Sequence, residues 1–68
     1  MLVLVNGEPR ELAPGSTVAD VVGSIPGMPN GRGLAVALDG EVVPRGRWHE
    51  VELSDAARVE VVVAVQGG

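Results

Sequence analysis

The residues best suited to chemistry lie at the end of the chain, in Gln66, Gly67 and Gly68. A carboxylate is a poor acyl donor because its leaving group would be oxide, so its carbonyl needs activation before a nucleophile can attack it. Glycine favours that attack because it lacks a Cβ and passes through narrow channels. Three extended residues span about 10 Å, enough to enter a cleft of another protein. Residues 66–68 are therefore interpreted as a flexible tail whose carboxylate, on Gly68, could react once it is activated.

The other chemical side chains offer little for catalysis. His49 is the single histidine and stands beside charged residues, so it is expected to be a solvated surface residue. The chain has no cysteine, which excludes a thiolate nucleophile and a zinc–cysteine cluster. Trp48, the single aromatic residue, is interpreted as a packing anchor. We therefore expect no catalytic residue, no metal site and no bound cofactor.

Size and charge narrow the function further. A chain of 68 residues is expected to form one domain, residues 1–68, with little room for a buried substrate pocket. The net charge of -4 and the lone aromatic argue against nucleic-acid binding. The apolar run Val61 to Val65 is too short to cross a bilayer, and the start lacks the basic leader of a signal peptide. These features predict a cytoplasmic protein, monomeric when alone, that does not bind membranes.

The first part of the chain predicts a hairpin followed by a helix. Met1 to Val5 is a strand, Asn6-Gly7 a two-residue turn, and Glu8 to Leu12 the return, with Pro9 favouring an edge position. Ser16 or Thr17 is expected to cap a helix, and Asp20 completes a pattern close to a capping box. Ile25-Pro26-Gly27 is expected to end the helix. Its apolar face is predicted to comprise Val18, Val21, Val22 and Ile25.

The second part predicts another hairpin and a final strand. Leu34 to Leu38 and Glu41 to Val43 flank the turn Asp39-Gly40, and Val59 to Val65 is the last strand. Arg45 to Ser54 is expected to be irregular. Together these elements predict an α+β, ubiquitin-like β-grasp fold. It would have a mixed sheet of about five strands, one main helix on one face, and the first and last strands near the centre.

Alternation in the last strand divides its side chains between two faces. Val59, Val61, Val63 and Val65 are expected to pack against the helix. The opposite face carries Val62 and Ala64, which nothing predicted in the chain would cover. Exposed apolar patches often mark partner surfaces, so Val62 and Ala64 are candidate partner-binding residues. The acidic residues could meet a basic partner or form a solvated face: Glu50, Glu52, Asp55 and Glu60.

Taken in order, these motifs resemble the bacterial sulfur carriers of thiamine thiazole synthesis over essentially the whole chain. In two places the chain departs from that pattern: Asp39-Gly40 stands where an Asn is common in the turn, and Ala56-Ala57 where Gly-Asp is common. The segments that carry the resemblance are Val5-Asn6-Gly7-Glu8, Thr17 to Val22, Ala35 to Leu38, Val42 to Arg45 with Trp48, Leu53, Val59 to Val62, and Gly67-Gly68.

The resemblance implies a chemistry for the tail. A ubiquitin-activating-type adenylyltransferase would use ATP to adenylate the Gly68 carboxylate. Sulfur from a donor such as a cysteine desulfurase system would then displace AMP and leave a thiocarboxylate. That thiocarboxylate would give its sulfur to thiazole synthase, so the chain would be a protein cosubstrate and not an enzyme.

Two alternatives remain open. The chain could carry sulfur in another pathway, for example as the small subunit of molybdopterin synthase, although those carriers tend to be longer. It could also be a β-grasp binding module that carries nothing, such as an RNA-binding regulatory domain, against which its acidic charge argues.

Overall fold

In the computed structural model, which describes residues 1–25 and 33–63, five strands form one mixed sheet over these ranges. The strand order is β2-β1-β5-β3-β4; β1 and β5 run parallel, and the other neighbours run antiparallel. The predicted β-grasp arrangement, with the first and last strands inside the sheet, is confirmed. The elements are β1 Leu2–Val5, β2 Glu8–Glu11, α1 Val18–Gly23, β3 Leu34–Leu38, β4 Glu41–Val43, a 3-10 helix Arg45–Arg47, and β5 Arg58–Val63.

Both predicted hairpin turns are present. Asn6 and Gly7 have φ angles of 51° and 83°, and Asp39 and Gly40 have φ angles of 49° and 88°. Positive φ at both central residues matches the right-handed twist of the flanking strands, which explains the preference for Asn, Asp and Gly here. Pro9 lies on β2, an edge strand as predicted, where its missing N–H costs no ladder hydrogen bond.

The helix α1 starts as the sequence predicts and ends sooner. The Thr17 side chain accepts from the Asp20 N–H at 3.3 Å, and the Asp20 carboxylate accepts from the Thr17 N–H at 2.8 Å, which completes the capping box. The last helical residue is Gly23. Ser24 closes the final turn, since its hydroxyl donates to the Val21 carbonyl at 2.6 Å. Of the predicted stop at Ile25-Pro26-Gly27, only Ile25 is among the described residues, and it follows the end of the helix.

The hydrophobic core lies between α1 and one face of the sheet. Trp48 anchors the segment after β4: its side chain is 5% exposed, and its Nε1–H donates to the Val43 carbonyl at 2.9 Å. The Arg45 guanidinium lies 4.9 Å from the centre of the Trp48 ring. Trp48 is therefore a packing residue, as predicted. The buried apolar residues are Val3, Val5, Val18, Val21, Val22, Leu34, Val36, Trp48, Leu53, Ala57 and Val59.

The turn before β5 holds an L-residue in an unfavourable conformation. Ala56 has a φ of 70°, in the left-handed region that glycine adopts without steric cost. Its N–H donates to the Leu2 carbonyl at 2.6 Å, and the neighbouring Asp55 carboxylate accepts from the Leu2 N–H at 2.8 Å. These contacts to β1 hold the turn, so replacement of the common Gly-Asp by Ala56-Ala57 leaves its connection to the sheet intact.

Candidate partner-binding face

The sheet face opposite α1 carries exposed apolar side chains near the end of β5. Val62 is 58% exposed and pairs with Ala35 on β3. Val42 on β4 is 75% exposed and pairs with Ala37, also on β3. Residues that pair across a sheet point to the same side, so these four residues share the open face.

A shallow hollow of about 160 Å³ lies between the two valines. The small side chains of Ala35 and Ala37 on β3 form its floor, and Val42 on β4 and Val62 on β5 form its two sides. Glu60 adds one carboxylate to the lining. The hollow is lined by Ala35, Val36, Ala37, Val42, Glu60 and Val62. This face can therefore accept an apolar side chain from a partner, with a cationic group beside it.

Charge and further apolar surface continue across the open face. Arg58 and Glu60 are both exposed and lie two residues apart on β5, on the same side as Val62. Leu2 on β1 is 43% exposed and points the same way as Leu4, which pairs with Arg58. The face thus carries apolar side chains on β1, β3 and β4 and at Val62, with one cation and one anion, Arg58 and Glu60, between them on the central strand β5.

The prediction that Val63 packs against the helix is wrong. Val59 is buried and Val61 half-buried, but Val63 is 58% exposed. The six residues of α1 span about 9 Å, whereas the six residues of β5 span about 20 Å. The helix is too short to cover the far end of the strand, although alternation places Val63 on its side. Val65 lies outside the described residues.

The remaining predicted site residues divide into two groups. Ala64, Gln66, Gly67 and Gly68 lie outside the described residues, so their assigned roles stay predictions. His49 is exposed, as expected, and so are the acidic residues Glu50, Glu52, Asp55 and Glu60. Within residues 1–25 and 33–63 no group of three or more His, Cys, Asp and Glu side chains could hold a metal ion.

The open-face residues that were not predicted from the sequence include Ala35, Ala37 and Val42, which line the hollow. A signal for them existed, because a two-residue turn at Asp39-Gly40 fixes the register of β3 against β4. That register pairs Ala37 with Val42. Antiparallel pairing of β3 with β5 would then have added Ala35 beside Val62.

The fold and its open face define the chain as a ubiquitin-like β-grasp protein, and the comparisons with known proteins are specific within that class. The sequence profile of the ThiS family matches residues 3–68, and the chain belongs to this family. The crystal structure of the thiamine biosynthesis protein ThiS from Geobacter metallireducens superposes with a TM-score of 0.83 at 26% identity, covering 100% of both chains. The resemblance to the small sulfur carriers of thiamine biosynthesis is thereby confirmed.

Two curated relatives are much longer proteins. The chain is 42% identical over 66 residues to a threonine–tRNA ligase of Pelobacter propionicus (strain DSM 2379 / NBRC 103807 / OttBd1), which covers 90% of this chain and 9% of that protein. It is 31% identical over 68 residues to a thiazole synthase of Paramagnetospirillum magneticum (strain ATCC 700264 / AMB-1), which covers 100% of this chain and 20% of that protein. The chain therefore spans a fifth or less of the length of these relatives.

No helix among the described residues is both long and apolar enough to pass through a membrane.

Proposed function

We propose that this chain carries sulfur for thiamine thiazole formation as a thiocarboxylate on Gly68. The observation that supports this best is the ThiS-family match, which runs from residue 3 to the terminal Gly67-Gly68 pair. The proposed cycle begins when the Gly68 carboxylate attacks ATP and pyrophosphate leaves. Sulfide then attacks the acyl adenylate, AMP leaves, and a thiocarboxylate remains; sulfur delivered as a persulfide would first form an acyl disulfide, which a thiol reductant would cleave to the thiocarboxylate.

The proposed partners follow from this cycle. An adenylyltransferase of the ubiquitin-activating type would hold ATP, and a donor such as a cysteine desulfurase system would supply sulfur. Thiazole synthase would be the acceptor. This choice is supported by the protein named thiazole synthase, one fifth of which is similar to the present chain. That protein joins a segment like this chain to further sequence, and segments joined in one chain commonly act together. We place the reaction in the cytoplasm, where ATP and these partners would be available.

The open face would be the surface by which these partners hold the carrier. Val62, together with Ala64 further along the chain, would contact an apolar partner surface near the base of the tail. The exposure of Val62 and Val42 and the hollow between them support this role. Docking on this face would bring the tail to the partner's reaction centre.

A second candidate function is a β-grasp module that binds without carrying sulfur. The match to part of a threonine–tRNA ligase favours it, since that relative is named as a ligase and not as a carrier. The two functions differ in what happens at the C-terminal carboxylate. A binding module would not need that carboxylate to react.

Reconstitution of the whole transfer tests the proposed function. The chain is incubated with ATP, the adenylyltransferase and isotopically labelled sulfide, desalted, and then mixed with thiazole synthase and its small-molecule substrates. We expect labelled sulfur in the thiazole product, with no product when ATP is omitted from the first step. Labelled carrier that gives its sulfur to the large subunit of molybdopterin synthase, and none to thiazole synthase, would assign the carrier to another pathway.

A further inference from the structure

Asn6, at the first position of the β1–β2 turn, bonds the backbone of β5 at two residues. Its own N–H donates to the Val59 carbonyl at 2.8 Å. Its side-chain Nδ2 donates to the Val61 carbonyl at 3.1 Å, and its Oδ1 accepts from the Val61 N–H at 2.8 Å. The side-chain amide thus offers the same donor and acceptor pair as a peptide group.

This bridge lies where β5 loses its neighbour on one side. The parallel pairing of β1 with β5 comprises Leu4 with Arg58 and Val5 with Val59, after which the chain turns away at Gly7. Both polar backbone groups of Val61 face the side that β1 has left, since both bond Asn6. Asn6 therefore extends the parallel ladder by one step towards the end of β5.

We propose that Asn6 is a positioning residue for the reactive tail, an inference that rests on the proposed carrier function. By holding Val61, it fixes the origin from which the chain continues to Gly68. The five residues 64–68 reach at most about 17 Å, so the position of their origin limits where the carboxylate can be delivered. Reacting atoms must approach to about 3–3.5 Å, which makes the reaction sensitive to such a shift.

The other hairpin turn supplies a matched control. Asp39 has nearly the same φ as Asn6, 49° against 51°. Its N–H donates to the Arg58 carbonyl at 2.8 Å, and its Oδ1 accepts from the Arg58 N–H at 2.9 Å. Asp39 thus clamps the same strand from its other edge, at the end farther from the tail.

The test compares Asn6→Gly with Asp39→Gly, since glycine keeps the positive φ of each turn and removes the clamp. Amide hydrogen exchange at Val61 is measured on each variant alone. Steady-state thiocarboxylate formation is measured in a separate reaction with the adenylyltransferase, ATP and a sulfide source. We expect Asn6→Gly to speed exchange at Val61 about tenfold or more, from the loss of two ordinary hydrogen bonds. With the variant as substrate, kcat of the adenylyltransferase should fall about tenfold while KM for the carrier stays nearly unchanged. Docking would be preserved, but the Gly68 carboxylate would be positioned less often for reaction.

Asp39→Gly should lower the melting temperature of the carrier about as much as Asn6→Gly does. It should leave kcat within about twofold of the value for the wild-type carrier. An unchanged kcat in folded Asn6→Gly, or an equal loss in both variants, would overturn the positioning role. If Asn6→Gly does not fold, Asn6→Asp replaces it: it keeps the acceptor for the Val61 N–H, loses the donor, and should give a reduced kcat. A wild-type kcat in Asn6→Asp would then overturn the inference. A wild-type chain that gains no sulfur in this assay would instead refute the carrier function itself.

Discussion

Deletion of Gly67 and Gly68 is expected to abolish thiocarboxylate formation while the melting temperature moves by no more than about 3 °C. Two extended residues span about 7 Å, so the new carboxylate on Gln66 would stop far short of a reaction centre that requires contact within about 3.5 Å. Neither glycine has a side chain to bury, and both follow the last apolar residue, Val65. Intact mass of the reaction product and a thermal melt of the truncated chain check the two parts of this prediction.

A double variant with Gly67→Ala and Gly68→Ala is the control for tail length. It keeps the reach and the carboxylate and adds only two methyl groups, so partial activity is expected where the deletion shows none. A truncated chain that unfolds would make the tail a structural element. A truncated chain that still acquires sulfur would locate the chemistry elsewhere.

Substitution of Val62 by Glu is expected to weaken binding to both the adenylyltransferase and thiazole synthase at least about tenfold, or ~1.4 kcal/mol. Docking would bury the new carboxylate against an apolar surface, where it loses water without gaining a partner. The fold should survive because Val62 is 58% exposed. Equilibrium binding measurements give the Kd of the variant for each partner, and a circular-dichroism melt shows whether the variant is folded.

The adjacent Val63 is a matched control for this change. It is also 58% exposed, but alternation places it on the opposite side of β5. Val63→Glu adds the same charge, one residue nearer the tail, and is expected to leave binding within about threefold of wild type. Val42→Glu, across the hollow from Val62, should reproduce the loss seen with Val62→Glu. Equal loss from Val62→Glu and Val63→Glu would show that charge near the tail, and not the open face, sets the affinity.

Local chemistry explains why much of the fold could be predicted from the sequence. Asn6-Gly7 and Asp39-Gly40 specify turns that need positive φ, and each turn sets the register of its hairpin. The Thr17–Asp20 pair specifies the start of α1. The mostly apolar first and last strands favour interior positions in the sheet, which they occupy. Each of these features depends on residues close together in the chain.

The features that escaped prediction depend on distant residues. The bridge from Asn6 to Val61 spans 55 positions and requires the register of β1 against β5, which no local pattern encodes. The exposure of Val63 depends on the length of α1 relative to β5. Ser24 helps to end that helix after Gly23 through a short-range hydrogen bond that periodicity does not reveal. Val62 was found because alternation within a single strand was sufficient to place it.

Top-down mass spectrometry can locate the sulfur that the Gly68 carboxylate is proposed to carry. The intact chain is analysed after incubation with ATP, the adenylyltransferase and a sulfide source, and then fragmented. The protein is expected to gain the mass difference of one sulfur replacing one oxygen, with the change confined to the fragment that ends at Gly68. A sulfur located on any other residue, or an unchanged mass with an adenylyltransferase that is active on another carrier, would contradict it.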